Sequence, residues 1–325
     1  MRFSACRAAA LMVACAVAPY PLAAQDTPAS TRAKQDVLWR RMTDSVGRIA
    51  AGADAVVGVA ILDLTDHRGF YLNAGAIYPT ASTIKIAILA ELFRQDAATP
   101  LAGPTGAPSG AAPAPGHAHL ADEYVLNAKD LVGGSGLMGG FTPGTTRLTV
   151  RDLATLMIGV SDNSATNILI DRVGMDNVNT LLARLGLTTT RLRRHMMDGE
   201  AARQGRENTG TPRELVALLD SLHSGRVLGG ATDGYFRMLG TQKASYIPLL
   251  LPPGVRTANK PGELDGVRND AGIVFVPGRP FAIAVMTTYG GNAVGAQEAI
   301  AQIARTAWTY FDRVGRSTPL GRTSP

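Results

Sequence analysis

The chain has 325 residues, of which 46% are hydrophobic and 18% charged, enough apolar material for a sizeable buried core. Its 32 Lys and Arg against 26 Asp and Glu leave a formal net charge of +6, a mild excess that suits an anionic small molecule. The one basic cluster, at 191–195, is too short to predict a nucleic-acid partner. The five histidines show no metal-ligand spacing, so we expect neither a metal nor a cofactor.

The first 24 residues have the pattern of a cleaved secretory signal. Arg2 and Arg7 precede an apolar stretch from Ala8 to Ala18, and small residues follow as far as Ala24. The stretch is too short to span a bilayer, and no other run is long enough. We therefore expect a periplasmic or secreted protein without a membrane span, cleaved near Ala24.

Both cysteines, Cys6 and Cys15, lie in this leading segment, so a chain cleaved after Ala24 would contain no disulfide. An alternative makes Cys15 the anchor of a lipoprotein, but the apolar run before it is short and Met12 suits such a site poorly. We expect the mature protein to be a monomer that is stabilised by packing alone.

The patterns at the two ends of the chain predict parts of one sheet. The predicted strands are 56–64, 70–73, 255–259, 272–276 and 281–288, and the predicted terminal helices are 32–51 and 294–314. The sequence between them is mostly helical. The expected fold class is therefore α/β: an antiparallel five-stranded sheet flanked by terminal helices, with an inserted all-helical domain.

Boundaries within the helical part follow from capping residues. Thr149 with Asp152, and Thr211 with Pro212 and Glu214, match helix starts. Gly174, Gly186 and Gly225 match helix stops. The predicted division is a discontinuous sheet domain, 25–75 with 240–325, and a helical domain, 76–239, in which the Ala-, Pro- and Gly-rich stretch 97–116 is a flexible surface insertion.

Three short motifs occur in a fixed order: Ser82-Thr83-Ile84-Lys85, Ser161-Asp162-Asn163 and Lys260-Pro261-Gly262. Alone they are weak, since a Ser-x-x-Lys arises by chance about once in a chain of this length, Ser-Asp-Asn can be a helix cap and Lys-Pro-Gly a turn. Their order and wide spacing indicate a serine acyl-transfer enzyme acting on β-lactams or on the D-alanyl peptides that they mimic.

The segment that follows Ser82 is apolar nearly all round, which predicts a buried helix. Lys85 comes one turn after Ser82 on the same face, and burial lowers the proton affinity of an amine, so Lys85 can act as a base toward the Ser82 hydroxyl. A serine at the helix N-terminus also presents a backbone N–H and the positive end of the dipole to an incoming carbonyl oxygen. This geometry supplies half of an oxyanion hole.

Longer stretches around these motifs resemble the class A serine β-lactamases and, more broadly, the penicillin-recognising enzymes, over almost all of the mature chain. The matching stretches are Tyr78-Pro-Thr-Ala-Ser-Thr-Ile-Lys85, Leu153 to Asn167, Asn208-Thr-Gly-Thr-Pro212, Lys260-Pro-Gly-Glu263 and Arg268-Asn-Asp270. The resemblance implies that Ser82 is the nucleophile, Lys85 its proton acceptor, and Ser161 the shuttle that delivers the proton to the leaving nitrogen.

The same resemblance implies how the substrate is bound. Asn163 would hold the substrate side-chain amide, and Lys260 and Arg268 would receive the substrate carboxylate. Gly262 would line the substrate site, and the N–H of Glu263 would be the second oxyanion donor. Chemical need agrees, because an amide nitrogen leaves only when protonated and an anionic ring substituent requires fixed positive charge.

One departure from the family concerns deacylation. The family carries a loop glutamate that orients the deacylating water, and alignment of Thr190 to Arg194 puts Met196 at that position. A thioether cannot act as a base, so an acid would have to reach the site from a shifted position. We favour Glu200 as that catalytic acid, with Asp198 as the alternative.

Two further departures affect binding and the loop. Pro261 replaces the usual hydroxyl residue, which removes a hydrogen bond to the substrate carboxylate, a loss of about 1.5 to 3 kcal/mol for a charged partner. Asn208 stands where an aspartate normally pairs with the arginine that matches Arg194, so we expect a less tightly held loop.

The expected function is that of a secreted serine β-lactamase that hydrolyses the β-lactam amide of a small-molecule substrate through a Ser82 acyl-enzyme. Two alternatives share the motifs. A D-alanyl-D-alanine carboxypeptidase usually has additional domains, and a slowly deacylating penicillin-binding sensor is normally joined to a transmembrane segment.

Overall fold

The computed structural model describes residues 28–98, 116–243 and 245–323. The predicted signal segment with its two cysteines, and the predicted insertion apart from Ala97, Ala98 and Gly116, lie outside the described residues. In the described part of the chain, no helix is both long and apolar enough to cross a bilayer.

The elements of the sheet and of the helices that cover it come from the two ends of the chain. They are α1 (Pro28–Gly52), β1 (Val56–Asp63) and β2 (Gly69–Leu72) before the insert, and after it come β7 (Arg256–Leu264), β8 (Val267–Phe275), β9 (Phe281–Thr288) and α9 (Ala293–Gly315).

The insert between β2 and β7 contains the remaining elements. In chain order they are β3 (Tyr78–Pro79), α2 (Lys85–Ala98), β4 (Glu123–Val125), β5 (Arg147–Thr149), α3 (Val150–Gly159), α4 (Asn163–Val173), α5 (Met175–Arg184), α6 (Gly199–Arg203), β6 (Thr209–Gly210), α7 (Pro212–His223) and α8 (Thr232–Leu239).

The strands of the main sheet are antiparallel and lie in the order β2-β1-β9-β8-β7. This confirms the predicted five-stranded sheet made from both chain ends. β7 runs five residues beyond its predicted end at Asn259 and therefore contains Pro261 and Gly262. Pro261 is tolerated there because β7 is an edge strand, where a residue without an N–H need not break the ladder.

Apolar side chains cover both faces of the sheet. Val59 and Ile61 of β1 pack in one cluster with residues of α1 and α9, whereas Ala60 and Leu62 belong to a second cluster with the helices of the insert. This alternation is the period of a strand that is buried on both faces. Two cavities lie where the insert meets the free edge of the sheet at β7.

The insert is mainly helical, with two short ladders, β3 with β6 and β4 with β5, that the sequence patterns did not predict. Thr149 and Asp152 form the predicted capping box at α3, and Thr211 caps α7 with Pro212 in its first turn. Every residue of α2 from Lys85 to Phe93 is buried, which confirms the predicted buried helix after Ser82.

Candidate active site

Ser82 lies in a 3₁₀ turn, Ala81–Ile84, that leads directly into α2. The preceding Ala81 has a φ of 47°, a left-handed conformation that is strained for a residue with a side chain. Strand β7 passes directly over this turn at Gly262. A Cβ at position 262 would lie 2.9 Å from Ser82 N and 2.7 Å from Thr80 O, so glycine is required for this close approach.

Three of the four predicted catalytic side chains, those of Ser82, Lys85 and Ser161, meet at the Ser161 hydroxyl together with Lys260. The Ser161 hydroxyl lies 3.0 Å from Ser82 Oγ, 3.0 Å from Lys85 Nζ and 3.1 Å from Lys260 Nζ. Lys85 also donates to Ser161 O at 2.8 Å and to Asn163 Oδ1 at 3.2 Å. Among the described residues, Lys85 is therefore linked to Ser82 through the Ser161 hydroxyl, and no direct hydrogen bond joins Lys85 to Ser82.

Both lysines are buried, and their pKa values are lowered for that reason. Burial holds the pKa of Lys85 well below its usual value, the neighbouring positive charge of Lys260 lowers it further, and Asp162 opposes the shift. Burial also lowers the pKa of Lys260 to about 8, against the opposing charges of Asp270 and Glu263. Lys85 is therefore suited to the role of a base, whereas Lys260 remains mainly charged at neutral pH.

Asp162 positions Ser161 and a facing loop. Its carboxylate caps α4 by accepting the Ala165 N–H, and its other oxygen accepts the N–H groups of Leu137 and Met138 at 2.6 and 2.9 Å. Ser161 itself has a φ of 58°, a second strained residue beside Ser82. The caps and the loop therefore hold the Ser161 hydroxyl in place between the two lysines.

Two cavities open beside Ser82, of about 320 and 280 Å³. The first is lined by Ala81, Ser82, Gly134, Ser135, Asn163, Arg194, Met196, Met197, Asn208, Glu263, Leu264, Asp265 and Arg268. The second is lined by Ser82, Ser135, Gly159, Val160, Ser161, Gln242, Lys243, Lys260, Pro261 and Glu263. Together the two cavities are lined by the predicted residues Ser82, Ser161, Asn163, Lys260, Glu263 and Arg268. Lys85 joins them through its hydrogen bond to Ser161, and Gly262 packs against the turn that carries Ser82. Of the predicted residues, only Glu200 lies away from this site.

The carboxylate-binding arginine predicted from the resemblance is held by the backbone. Arg268 Nη1 donates to Leu264 O at 2.8 Å and to Val267 O at 2.7 Å. Its Nε is buried and has no hydrogen-bond partner, and no ion pair of Arg268 is recorded over residues 28–98, 116–243 and 245–323. The cation therefore retains capacity for an anionic ligand at the wall of the first cavity.

The lowered pKa of Lys260 gives a testable pH dependence. Because its charged form is expected to bind the substrate carboxylate and to hold Ser161, kcat/KM for a carboxylate-bearing β-lactam should fall as the pH rises through about 8. Lys260→Arg should move this fall to higher pH, since a guanidinium stays protonated. The measurement is kcat/KM between pH 6 and 10. A wild-type profile that is level to pH 10 would contradict the assignment.

No cluster of three or more His, Cys, Asp or Glu side chains in the described residues is placed to hold a metal ion. A sequence model described as "Beta-lactamase enzyme family" matches residues 40–102 and 112–311, well over half of the chain. The chain belongs to the β-lactamase enzyme family. Its motifs and its structural relatives make it a class A-like serine member.

Among curated relatives, β-lactamase AST-1 of Nocardia asteroides is 35% identical over 150 residues, which are 44% of this chain and 48% of that protein. The match thus spans about half the length of the Nocardia enzyme. β-Lactamase ROB-1 of Haemophilus influenzae is 24% identical over 277 residues, 80% of this chain and 81% of that protein.

Two solved structures show the same fold. A β-lactamase from Sphaerobacter thermophilus DSM 20745 is 31% identical, with a TM-score of 0.72 over 83% of this chain and 97% of that one. PBP-A has a TM-score of 0.70 at 24% identity over 85% of this chain and 96% of that one. The family match and these two structures agree on the fold of the β-lactamase enzyme family.

The loop that would carry the deacylating acid in this β-lactamase family member presents thioethers to the site. Met196 and Met197 line the first cavity, and Met196 is fixed by its backbone, whose N–H and C=O both bond the Asn167 side-chain amide. Asp198 caps α6 by accepting the Ala201 N–H. Among the described residues, neither Asp198 nor any other acid of this loop lines either cavity.

The sequence suggested that Glu200 reaches the site of Ser82, but the structure places Glu200 elsewhere. Its carboxylate is exposed, pairs with Arg203 at 2.6 Å and accepts from Gln204 Nε2 at 2.6 Å. It is not among the residues that line either cavity. The physical reason is the short helix α6, which turns Glu200 toward the solvent and toward partners three and four residues later.

The expectation of a less tightly held loop at Arg194 is wrong. Arg194 forms an ion pair with the neighbouring Glu207, at 2.6 Å from its Nη2. Asn208 contributes as an amide, because its Oδ1 accepts the N–H groups of Arg193 and Arg194 and its Nδ2 donates to Arg194 O. The acid that pairs with Arg194 is thus Glu207, one residue before Asn208, and Asn208 supplies the hydrogen bonds to the loop backbone.

Sequence reasoning missed three residues of the site. Ser135 lines both cavities, Glu207 pairs with Arg194, and Tyr246 donates its hydroxyl hydrogen to the Glu263 carboxylate. Burial raises the pKa of Tyr246, and the hydrogen bond to Glu263 adds to the effect. None of the three belongs to a motif. Their contacts join residues that are distant in sequence, so no local pattern could have indicated them.

Proposed function

We propose that this protein is a periplasmic or secreted β-lactamase that is acylated by β-lactams at Ser82 and then hydrolyses the ester slowly. The observation that carries the proposal is the hydrogen-bonded group of Ser82, Ser161, Lys85 and Lys260 in one site. A variant of PBP-A, which shares this fold, was solved as an acyl-enzyme complex with penicillin G. That structure supports acylation of a serine enzyme with this fold.

For acylation, the buried Lys85, whose pKa is lowered by burial, takes the Ser82 proton through the Ser161 hydroxyl as Ser82 Oγ attacks the lactam carbonyl. The C–N bond then breaks, and Ser161 delivers a proton to the leaving nitrogen. Lys260 polarises Ser161 from the other side. Asn163, which lines the first cavity, is proposed to hold the substrate side-chain amide.

The oxyanion would be stabilised by the Ser82 and Glu263 N–H groups. Successive N–H groups of a strand point to opposite edges, so positions 261 and 263 share an edge. Pro261 lacks an N–H without interrupting the β7–β8 pairing, which supports placing this edge away from the ladder and toward Ser82. The close approach of Gly262 to Ser82 N supports the same geometry.

Hydrolysis of the acyl-enzyme ester is the slow step of the proposed reaction. A water needs a base to orient it, and the loop presents Met196 and Met197 where the family has its glutamate. We therefore expect a chromogenic cephalosporin to give a burst of one turnover followed by a slower linear phase. A linear progress curve without a burst would contradict slow deacylation, and an adduct that persists for hours would favour the second candidate, a penicillin-binding protein.

Glu200→Gln tests whether the loop contributes a base from its observed position. Because the Glu200 carboxylate is exposed and paired with Arg203, we expect the burst and the linear phase to stay within about twofold of the wild type. The measurement is pre-steady-state absorbance combined with the mass of the protein during turnover. Accumulation of acyl-enzyme in this variant would show that the loop rearranges to bring Glu200 to the ester.

Arg268→Ala tests carboxylate recognition. We expect the variant to raise KM for a carboxylate-bearing β-lactam by roughly tenfold and to change kcat less, because the cation binds ground state and transition state alike. The measurement is a steady-state comparison of the two constants. An unchanged KM would place the substrate carboxylate elsewhere.

A further inference from the structure

The side chain of Glu263 introduces a negative charge where the proposed substrate carries its own. Only Ser82, Ser135 and Glu263 line both cavities as the described residues form them. Lys260 lines one of the cavities and Arg268 the other. Glu263 therefore borders both the cavity of Lys260 and the cavity of Arg268, the two cations that would receive an anionic ring substituent.

The position of this carboxylate is set by the sheet. Glu263 of β7 stands directly opposite Arg268 of β8, so both side chains leave the same face, with Cβ atoms roughly 5 Å apart. The structure nevertheless records no Glu263–Arg268 ion pair in the part of the chain it describes, and Glu263 instead accepts a hydrogen bond from the Tyr246 hydroxyl. The two residues are thus cross-strand partners whose charged groups are bonded to other atoms: Arg268 Nη1 donates to Leu264 O and Val267 O.

Tyr246 is held firmly enough to determine where the carboxylate points. It is 7% exposed, and its N–H donates to the buried carboxylate of Asp270 at 2.9 Å, as does the N–H of Ile247. Gln297 Nε2 of α9 also approaches the Tyr246 hydroxyl at 3.4 Å. The backbone contact anchors the tyrosine to strand β8, the strand that carries Arg268.

We propose that Glu263 is a specificity-determining residue that weakens the preference of this site for β-lactams with a free carboxylate over those with an uncharged ester or amide at that position. Tyr246 is a positioning residue that keeps the Glu263 carboxylate away from Arg268. The inference rests on the proposed function, because it concerns recognition by the same site. Asp265, which lines the first cavity on the same hairpin, adds negative charge at the rim.

The test compares benzylpenicillin with its methyl ester, two substrates that differ in charge. In Glu263→Gln, the ratio of kcat/KM for the acid to that for the ester should rise about five- to tenfold, because a charge of the same sign as the substrate anion is removed from the wall that the two cavities share. Asp44→Asn, an exposed substitution on α1, makes the same change in net charge outside both cavities and should leave the ratio within twofold. A rise of less than threefold in Glu263→Gln overturns the proposal.

Tyr246→Phe separates positioning from a structural role. With the hydroxyl removed, Glu263 is free to pair with Arg268, so the acid-to-ester ratio should fall at least threefold. The same substitution should have no effect on the ratio in the Glu263→Gln background. Equal losses for both substrates would show that Tyr246 is merely structural and overturn its assigned role. If neither substrate acylates Ser82, the proposed function fails; if both do and the ratio stays constant, only this inference fails.

Discussion

Ser82→Ala should abolish acylation by β-lactams, with a loss of at least about 10⁴-fold in kcat/KM, since nucleophile removal in a serine hydrolase is among the largest single-residue effects. Ser82 is the hydroxyl at the junction of the two cavities and lies 3.0 Å from Ser161. An alanine preserves the turn and the helix start, so the folded state should survive.

Two readouts distinguish a catalytic loss from a folding defect in this variant. The thermal midpoint should stay within a few degrees of the wild type, because one hydrogen bond contributes only about 0.5 to 1.5 kcal/mol. Incubation with penicillin should leave the protein mass unchanged. An adduct that forms in Ser82→Ala at the wild-type rate would exclude Ser82 as the nucleophile.

Lys85→Met should lower the acylation rate by a factor of about 10² to 10⁴, the usual contribution of a positioned general base. Methionine approximates the shape of the lysine stem without its amine. Lys85 is fully buried, and its hydrogen bonds go to Ser161 and Asn163. The loss should therefore appear in the burst rate and leave the affinity for the substrate carboxylate little changed.

The stability of this variant should move in the opposite direction from its activity. The fold lowers the pKa of Lys85, so below its unfolded pKa near 10.5 the unfolded chain binds more protons at this position than the folded chain. This difference opposes folding at pH 7 and disappears as the pH rises above 10.5. We expect Lys85→Met to unfold at the same or a higher denaturant concentration; a wild-type burst rate would exclude Lys85 as the base.

The outer parts of the fold follow from local patterns. The predicted strand 281–288 coincides with β9, and the predicted terminal helices differ from α1 and α9 by a few residues at each end. These elements alternate or repeat apolar residues with the period of a strand or helix, and each contributes to a buried cluster. A hydrophobic period that repeats along a long strand or helix predicts that element even when the packing partners are unknown.

The end of β7 shows where local patterns fail. Lys260-Pro261-Gly262 has the composition of a turn, yet it continues the strand to Leu264. What decides its conformation is the ladder with β8 and the close approach of Gly262 to Ser82, both of which involve residues distant in sequence. The short ladders of the insert were missed for the same reason.

Some residues of the candidate site could be predicted from sequence motifs, whereas others could not. The motifs led to Ser82, Lys85, Ser161 and Lys260, which the structure brings together. The assignment of Glu200 rested on alignment of a loop, which gives a position along the chain but not the direction of a side chain. The contact of Tyr246 with Glu263 joins two residues of which one belongs to no motif, so only the tertiary structure reveals it.

The most direct measurement is time-resolved intact mass spectrometry of the wild type with benzylpenicillin, followed by peptide mapping. Ring opening transfers the whole molecule to the serine, so we expect a rapid mass increase equal to one benzylpenicillin, located on the peptide that contains Ser82. That adduct should then decay more slowly than it forms. Hydrolysis or binding of the drug with no covalent adduct, or with the adduct at another residue, would contradict acylation of Ser82.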